Sequence, residues 1–349
     1  MTADERTLTD MLRELQAMKA LTVTGMQREL QAMKALQARV RKLEMTVSFL
    51  MGHNNNNDDV LSHSFLCRPL DIGTDRACAL PDYLSIAAII YNEGRNLREW
   101  LEFHLLMGAD RFYLYDNGST DDARQILEPY IAAGTVVYRL VTGRAMQLPV
   151  YNDAICQAYN RSHWLALIDL DEMLVPVQAD SVAELLRDYE QHAALGVNWV
   201  IFDSSGHEHR PTAGGGLAIA NYTTVHHDAH DREHGVRTIK TILNPRKVLL
   251  MTHVHYARYQ NNELTVNENH EPFPGHDTPY HSSAKIQLNH YYTRSREEYE
   301  LKLSVRRADT GGAKAVRWND LSFPDPAEER TVLRFLPQLR ARLGLPPDP

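Results

Sequence analysis

The sequence predicts an α/β domain built on a mixed, mainly parallel sheet with helices on both faces, preceded by a separate helical segment. Three observations carry that reading. From Tyr83 to Leu170, short apolar runs alternate with helix-period stretches joined by brief polar connections. Three of these runs end in polar clusters, Tyr91-Asn92-Glu93, Asp116-Asn117-Gly118-Ser119-Thr120-Asp121 and Asp169-Leu170-Asp171-Glu172. Strand ends of this kind open on the carboxyl edge of a parallel sheet, where such sheets bind their ligands. Residues 1–51 follow a narrower periodicity that sets them apart as a unit of their own.

In that first unit, Leu8, Met11, Leu15, Met18 and Leu21 return fifteen residues later as Val23, Met26, Leu30, Met33 and Leu36. The nonapeptide from Arg13 to Leu21 recurs word for word from Arg28 to Leu36, and the seam continues through Val40, Leu43, Val47 and Leu50. So narrow a stripe, on a segment with no other core, has to be buried against another copy, so a coiled coil making a homo-oligomer is expected. The fifteen-residue step is one more than two heptads, which unwinds the coil near Gly25.

Residues 52–82, with four consecutive asparagines, form a polar linker. The main domain covers 83–310. Strands are expected over 84–90, 111–115, 136–140 and 164–170, separated by helices over 96–107, 122–132 and 150–159. A helix over 183–189 and short strands around 198–202 and 248–253 follow, with a loop at Gly214-Gly215-Gly216. Residues 311–349 carry one amphipathic helix over 327–343 and a proline-rich tip.

At 349 residues and 43% hydrophobic, the chain can bury a sizeable core. A formal net charge of −8 argues against a nucleic-acid partner, which would require a basic face. Cys67, Cys78 and Cys156 match neither a zinc spacing nor a disulfide framework, so a reducing, cytoplasmic setting is expected. The longest apolar stretch, from Tyr83 to Tyr91, is far too short to span a bilayer, so any membrane contact is expected to be peripheral.

The chemistry lies in the three polar clusters, which a parallel sheet brings to one crevice. Asp169 and Asp171 are paired hard ligands suited to Mg²⁺ or Mn²⁺ shared with substrate phosphates. The amides and carboxylates of the other two strand ends can accept from a nucleobase N–H and from ribose hydroxyls. The site therefore suits a nucleoside diphosphate. Neither glycine-rich phosphate loop is present, which argues against a Rossmann dehydrogenase or a P-loop enzyme.

These clusters resemble the signatures of family 2 glycosyltransferases, with Asp169-Leu170-Asp171-Glu172 as their metal-binding D-x-D. The chain is more closely similar to the family 92-like branch. That likeness rests on Asn92-Glu93, Glu99-Trp100 with His104, Tyr115-Asp116-Asn117, and Tyr151-Asn152 before Trp164. It continues in Phe202 with Ser204-Ser205-Gly206, Lys240 with Pro245, and Asn289-His290-Tyr291. The resemblance covers roughly residues 83–307 and implies a GT-A fold, a nucleotide-sugar donor (UDP-sugar by default) and a divalent cation. It gives Tyr91, Asn92 and Glu93 to the nucleoside, Asp116 and Asn117 to the base, and Asn152 to the sugar diphosphate. Lys240 joins these donor-binding residues. Asp171 would hold the metal directly, and Asp169 would bind the ribose or the ion. Two departures stand out: Asp203 replaces a usual glycine, and Asn244 a common arginine.

The resemblance also implies a third metal ligand from the C-terminal half, taken from His253 or His255, with His255 favoured. The histidines at 226, 227, 230 and 234 fall in a loop and are expected to be solvated. Glu298, three residues after Ser295, predicts a capping box at a helix start, and Lys302 and Arg306 share one face of that helix. His290 before it is a candidate for positioning the diphosphate or acceptor. Inverting transfer to a hydroxyl of a glycan, a lipid-linked carrier or a protein needs a carboxylate base, with Asp203 and Glu208 as candidates. Trp100 and His104 belong to the core, His104 being hydrogen-bonded there, and Arg330, Arg334, Arg340 and Arg342 to a solvated face. The competing readings are a nucleotidyltransferase that makes a sugar nucleotide, and a coiled-coil scaffold whose inactive transferase domain binds glycans.

Overall fold

The computed structural model describes residues 80–226, 237–305, 308–314, 322 and 326–347. The expected coiled coil, nearly all of the linker, the histidines at 227, 230 and 234, and Arg306 lie outside the described residues.

β1 (Asp82–Ile90) is buried along almost its whole length, as a strand in the middle of a sheet covered on both faces must be. It is followed by α1 (Gly94–Leu106), β2 (Arg111–Asp116), α2 (Ala123–Ala132), β3 (Val136–Leu140), α3 (Gln147–Ala158) and β4 (Ser162–Leu167). This is the alternation the sequence implies. Next come β5 (Glu172–Pro176), the one-turn helix α4 (Val182–Leu185), β6 (Ala194–Ile201), the short α5 (Ala218–Asn221) and β7 (Thr224–His226). Then follow β8 (Ile239–Leu243), β9 (Val248–His253), β10 (Tyr256–Tyr259), β11 (Thr265–Val266) and β12 (Pro272–Phe273). β13 (Ile286–His290), α6 (Arg296–Ser304), β14 (Pro326–Glu328) and α7 (Leu336–Leu343) complete the order.

The large sheet runs β12-β11-β6-β8-β4-β1-β2-β3. β1 pairs in parallel with β2 and β4, and β2 with β3. β8 runs against its neighbours β4 and β6. β13 lies parallel to β6 and antiparallel to β5. The sheet is therefore mixed and mainly parallel.

Successive residues of β1 feed opposite faces. Ile86, Ala88 and Ile90 pack with Leu97, Trp100, Leu101 and Phe103 of α1. Ala87 and Ile89 pack with Val150, Tyr151, Ala154 and Ile155 of α3. Each fully buried Leu or Phe contributes about 2 kcal/mol of transfer free energy. His104 sits in the first of these layers, as expected. Its Nδ1 donates to Trp100 O at 2.8 Å and its Nε2 accepts from Leu174 N, and burial pushes its pKa down to about 3.

One glycine sets how closely two strand ends approach. A Cβ on Gly94 would stand 2.2 Å from Asp122 Oδ1, and Gly94 N donates to Asp121 Oδ2 at 2.8 Å. A Cβ there would push the Asp122 carboxylate aside and crowd Ala123 N at 3.2 Å, so the bare backbone lets the start of α1 rest on the turn that follows β2.

The structure departs from the sequence reading in three places. β4 stops at Leu167 rather than residue 170, because Glu172 N turns back to Asp169 O and a new strand begins at Glu172. β8 and β13 were not anticipated, since Lys240, Gln287 and Asn289 interrupt their apolar pattern although all three are buried. The single helix over 327–343 is instead β14, a 3-10 turn (Thr331–Phe335) and α7. Pro337 lacks an N–H, which suits the first turn of a helix and not its middle. The arginines near it also anchor the tail to the body. Arg340 is buried and donates to Gly214 O and Pro346 O, Arg334 donates to Pro176 O and Ala179 O, and Arg342 pairs with Glu102.

Candidate active site

β1, β2 and β4 run parallel, so their carboxyl ends share one edge and set Glu93, Asp116 and Asp169 side by side along it. β13 brings His290 in from the C-terminal half: it pairs with Glu172 across the β5 ladder, and Tyr291 N donates to Asp171 O. The capping box on Ser295 and Glu298 starts α6 and so fixes Lys302, two turns on.

Both carboxylate oxygens of Asp169 are held in place. Its Oδ1 accepts from Gln147 Nε2 at 2.7 Å and Tyr151 OH at 3.2 Å, and its Oδ2 from Lys240 Nζ at 2.8 Å. Its own N–H donates to Glu172 Oε2 at 2.8 Å. Gln147 and Tyr151 lie four residues apart on one face of α3, which is why both reach the same oxygen. Lys240 is 1% exposed and stands 3.8 Å from Glu172 Oε2 as well. Burial opposes its charge, but Asp169 and Glu172 hold its pKa well above the usual lysine range.

Glu172 is fully buried and also accepts from Trp199 Nε1 at 2.8 Å. Burial pushes its pKa up to about 7 against the pull of Lys240, and neighbouring Asp169 adds to the rise. Asp171 behaves in the opposite way. Burial would raise it, but Lys302 and His290 overrule burial and hold the carboxyl well below the usual range. Lys302 Nζ is 2.5 Å from Asp171 Oδ2, and His290 Nε2 is 3.5 Å from the same oxygen.

Arg294 adopts a left-handed backbone, φ 53, at a cost of about 1–2 kcal/mol. The bend lets its guanidinium donate to Leu170 O at 3.2 Å and stand 3.6 Å from Glu93 Oε2. It thus ties the end of β1 to the acidic turn. Lys314, half-buried, is held below the usual lysine range by burial and by Lys302, and it feels Asp171, Glu93 and Asp169. Glu93, Asp169 and Asp171, with Glu172 partly ionised near pH 7, therefore face Lys240, Arg294, Lys302 and Lys314.

The structure brings together Glu93, Asp169, Asp171, Lys240 and His290. Tyr91, Asn92, Asp116 and Asn117 form the adjoining tips of β1 and β2. Asn92, at φ 55, accepts from Thr120 N, and its N–H donates to Ser119 Oγ. Asp116 accepts from Ser119 N at 2.7 Å and Tyr138 OH at 2.8 Å. Asn117 Nδ2 reaches Gly143 O at 3.3 Å, while its Oδ1 is buried and has no partner among the described residues.

Four expected site residues are placed otherwise. Asn152 uses its amide to clamp β9, accepting from Met251 N and donating to Met251 O, both at 3.0 Å. Asp203, 4% exposed, accepts from Ser205 N and Thr224 Oγ1 and so shapes its own turn. Glu208 stands on the surface beside Arg296. His255 donates Nδ1 to Ile239 O at 2.8 Å, and burial with Lys240 pushes its pKa down to about 2. Among the described residues no three His, Cys, Asp or Glu side chains are grouped to hold one ion, so the expected trio of Asp169, Asp171 and His255 is not assembled. Asp171 Oδ2 and His290 Nε2, 3.5 Å apart, do fit two donors turned to one divalent ion at about 2.1 Å each. Substrate oxygens would complete such a shell.

Sequence reasoning gave no site role to Gln147, Trp199, Arg294 and Lys314, and none to Glu172 beyond its place in the motif. The i, i+4 spacing of Gln147 and Tyr151 was the one available signal. The rest depend on strands and loops far apart in the chain.

The model of glycosyltransferase family 92 matches residues 84–306. A glycosyltransferase family 92 protein of Ricinus communis is 30% identical over 140 residues, covering 38% of this chain and 25% of its own length. Galactan beta-1,4-galactosyltransferase GALS1 of Arabidopsis thaliana is 23% identical over 120 residues, 31% of this chain and 24% of its own. The chain thus spans about a quarter of the length of these curated relatives. Among solved structures, S. aureus TarS 1-349 in complex with UDP-GlcNAc aligns over 47% of this chain and 45% of that one, with 15% identity and a TM-score of 0.33. Mannosyltransferase PcManGT from Pyrobaculum calidifontis, in complex with GDP-Man and Mn²⁺, aligns over 47% and 46%, with 17% identity and a TM-score of 0.26.

Proposed function

Since the chain belongs to glycosyltransferase family 92, we propose that it moves a sugar from a nucleoside-diphosphate donor, UDP-sugar by default, to a hydroxyl of an acceptor at the carboxyl edge of the sheet. The observation that carries this reading is the Asp171–His290 pair beside a balanced ring of charges. A donor diphosphate would add about two negative charges to a site whose carboxylates are already matched by Lys240, Arg294, Lys302 and Lys314. In a half-buried site uncompensated charge is costly. A divalent cation between the diphosphate and Asp171 restores the balance, which is the sharing of an ion with substrate phosphates that hard cations favour.

Asp171 and His290 would hold the cation, with His290 in place of the expected His255. The ion, when bound, supplies Lewis acidity toward the diphosphate. The chain's own residues do the rest. Lys302 is already on Asp171 and can swing to a phosphate oxygen as a mobile ammonium on a long stem. Asp169, fixed by Gln147, Tyr151 and Lys240, keeps one part-exposed edge for the ribose. Asn117 stands beside Asp116 at the tip of β2, where the base would lie, and Arg294 holds Glu93 against the acidic turn. Acceptors ranging from glycans to lipid-linked carriers suit this reading, and the galactan transferase among the relatives makes a galactosyl donor the first to try.

The test is calorimetric titration of UDP with and without Mn²⁺, alongside donor turnover for the protein and its Asp171→Asn variant. Binding that strengthens with Mn²⁺ and turnover that collapses in the variant support the assignment. Full turnover in Asp171→Asn would sink it.

A further inference from the structure

A continuous band of rings leaves the site on the side of β8. Trp199 has its ring 4.7 Å from His290 and 5.4 Å from His255. From His255 the band continues to His253 at 5.2 Å, and His253 stacks on His276 at 5.0 Å and on Tyr256 at 5.1 Å. The stacked planes lie within 27° of one another. None of these five side chains is fully buried, and His276 is half exposed at the outer end. The band is tied to the donor side by one strand. His255 Nδ1 bonds to Ile239 O, Ile239 N bonds to His276 O, and the next residue is Lys240, which holds Asp169.

The hydrogen bonds also fix the imidazole tautomers. His255 donates through Nδ1, so its neutral ring has an acceptor at Nε2. His253 accepts at Nδ1 from His255 N, over a long 3.4 Å, so its neutral ring carries the proton at Nε2. Burial lowers both pKa values, that of His255 to about 2, and keeps both rings uncharged near pH 7. A donor and an acceptor thus sit on neighbouring rings of the band, with the Asp277 carboxylate at the exposed end.

We propose that this band is the acceptor subsite and that it takes a neutral pyranose of a glycan. The proposal rests on the transferase reading above. A sugar ring presents apolar C–H faces to stack on aromatic rings, and hydroxyls that both donate and accept. A phosphorylated or carboxylated acceptor would instead meet Asp277 and two uncharged imidazoles, with nearby Lys240 already committed to Asp169 and Glu172. The subsite leads directly to His290 and Asp171, where the anomeric carbon is expected.

The test is saturation-transfer NMR on the full chain with lactose, cellotriose and chitotriose, together with UDP–Mn²⁺ binding on the same samples. At least one saccharide is expected to show transfer to its C–H protons. The Tyr256→Ala/His276→Ala double variant should weaken that binding about tenfold or more, as loss of stacking rings does, with UDP binding retained. Tyr256→Leu, which keeps apolar volume but loses the flat face, should show a smaller loss in the same direction. If UDP binds but no saccharide does, or if the double variant binds saccharide as well as the parent, the subsite is wrong and the transferase reading survives. Absence of UDP binding in the parent would remove both.

Discussion

Replacing Lys240 with methionine keeps most of the side chain's volume and removes its charge, and the structure fixes what that costs. The ammonium leaves Asp169, 2.8 Å away, and the fully buried Glu172, 3.8 Å away. Asp169 is one-third exposed and keeps Gln147 and Tyr151, so its loss falls at the low end for a charged hydrogen bond, about 1.5 kcal/mol. Glu172 responds through its proton. Its folded pKa of about 7 lies above the ordinary 4.5, so the folded parent binds an extra proton between those values and loses stability as pH rises through that window. Without Lys240 the pKa climbs further, and the variant goes on losing stability above pH 7 where the parent levels off. The gap between them should therefore widen with pH by roughly 1.4 kcal/mol between pH 6 and 8. The expected deficit is about 1.5 kcal/mol at pH 6 and about 3 kcal/mol at pH 8. Urea denaturation followed by tryptophan fluorescence at the two pH values measures it. A deficit that is the same at both, or that shrinks toward pH 8, refutes the coupling between Lys240 and Glu172.

Manganese titration by electron paramagnetic resonance should separate the two histidine candidates: His290→Ala weakens Mn²⁺ binding in the presence of UDP by about tenfold or more, and His255→Ala does not. Equal weakening in both would return His255 to the metal shell. Gly94→Ala places a methyl 2.2 Å from Asp122 Oδ1 and should destabilise by about 1–3 kcal/mol, read as a lowered Tm; an unchanged Tm would mean that the β2–α2 turn yields freely. Ser295→Ala breaks the capping box, for a loss of about 1 kcal/mol. If α6 positions Lys302 as described, the KM for donor should rise as well, and a stability loss with unchanged KM would limit Ser295 to a structural role.

The strand ends were legible because their signal is local. Apolar runs that stop at Asn92-Glu93, Asp116-Asn117 and Asp169-Leu170-Asp171 mark both the sheet and its polar carboxyl edge, and the observed β1, β2 and β4 lie where those runs are. The capping box at Ser295 and the buried His104 were legible for the same reason, since an i, i+3 pair or a helix face is visible within a few residues. β8 was not. Its Lys240 breaks the apolar run and entered the sequence reading only through the family likeness, and only the carboxylates that meet it across the fold make its burial tolerable.

The same limit explains why His290, and not His255, meets the acidic turn. His255 follows β9 and His290 ends β13, and neither carries a local mark of what it faces. β13 pairs with β5 one residue after Asp171, and this register delivers His290 to the carboxylate. His255, after the β9 strand, turns to the Ile239 carbonyl instead. Sequence alone determined the α/β alternation, the polar carboxyl edge and the acidic turn, because short-range periodicity and composition encode them. The tertiary structure decided which cations neutralise that turn and which histidine joins it, because charge pairing between β4, β8, β13 and α6 depends on strand order, and strand order leaves no trace in any single stretch of chain.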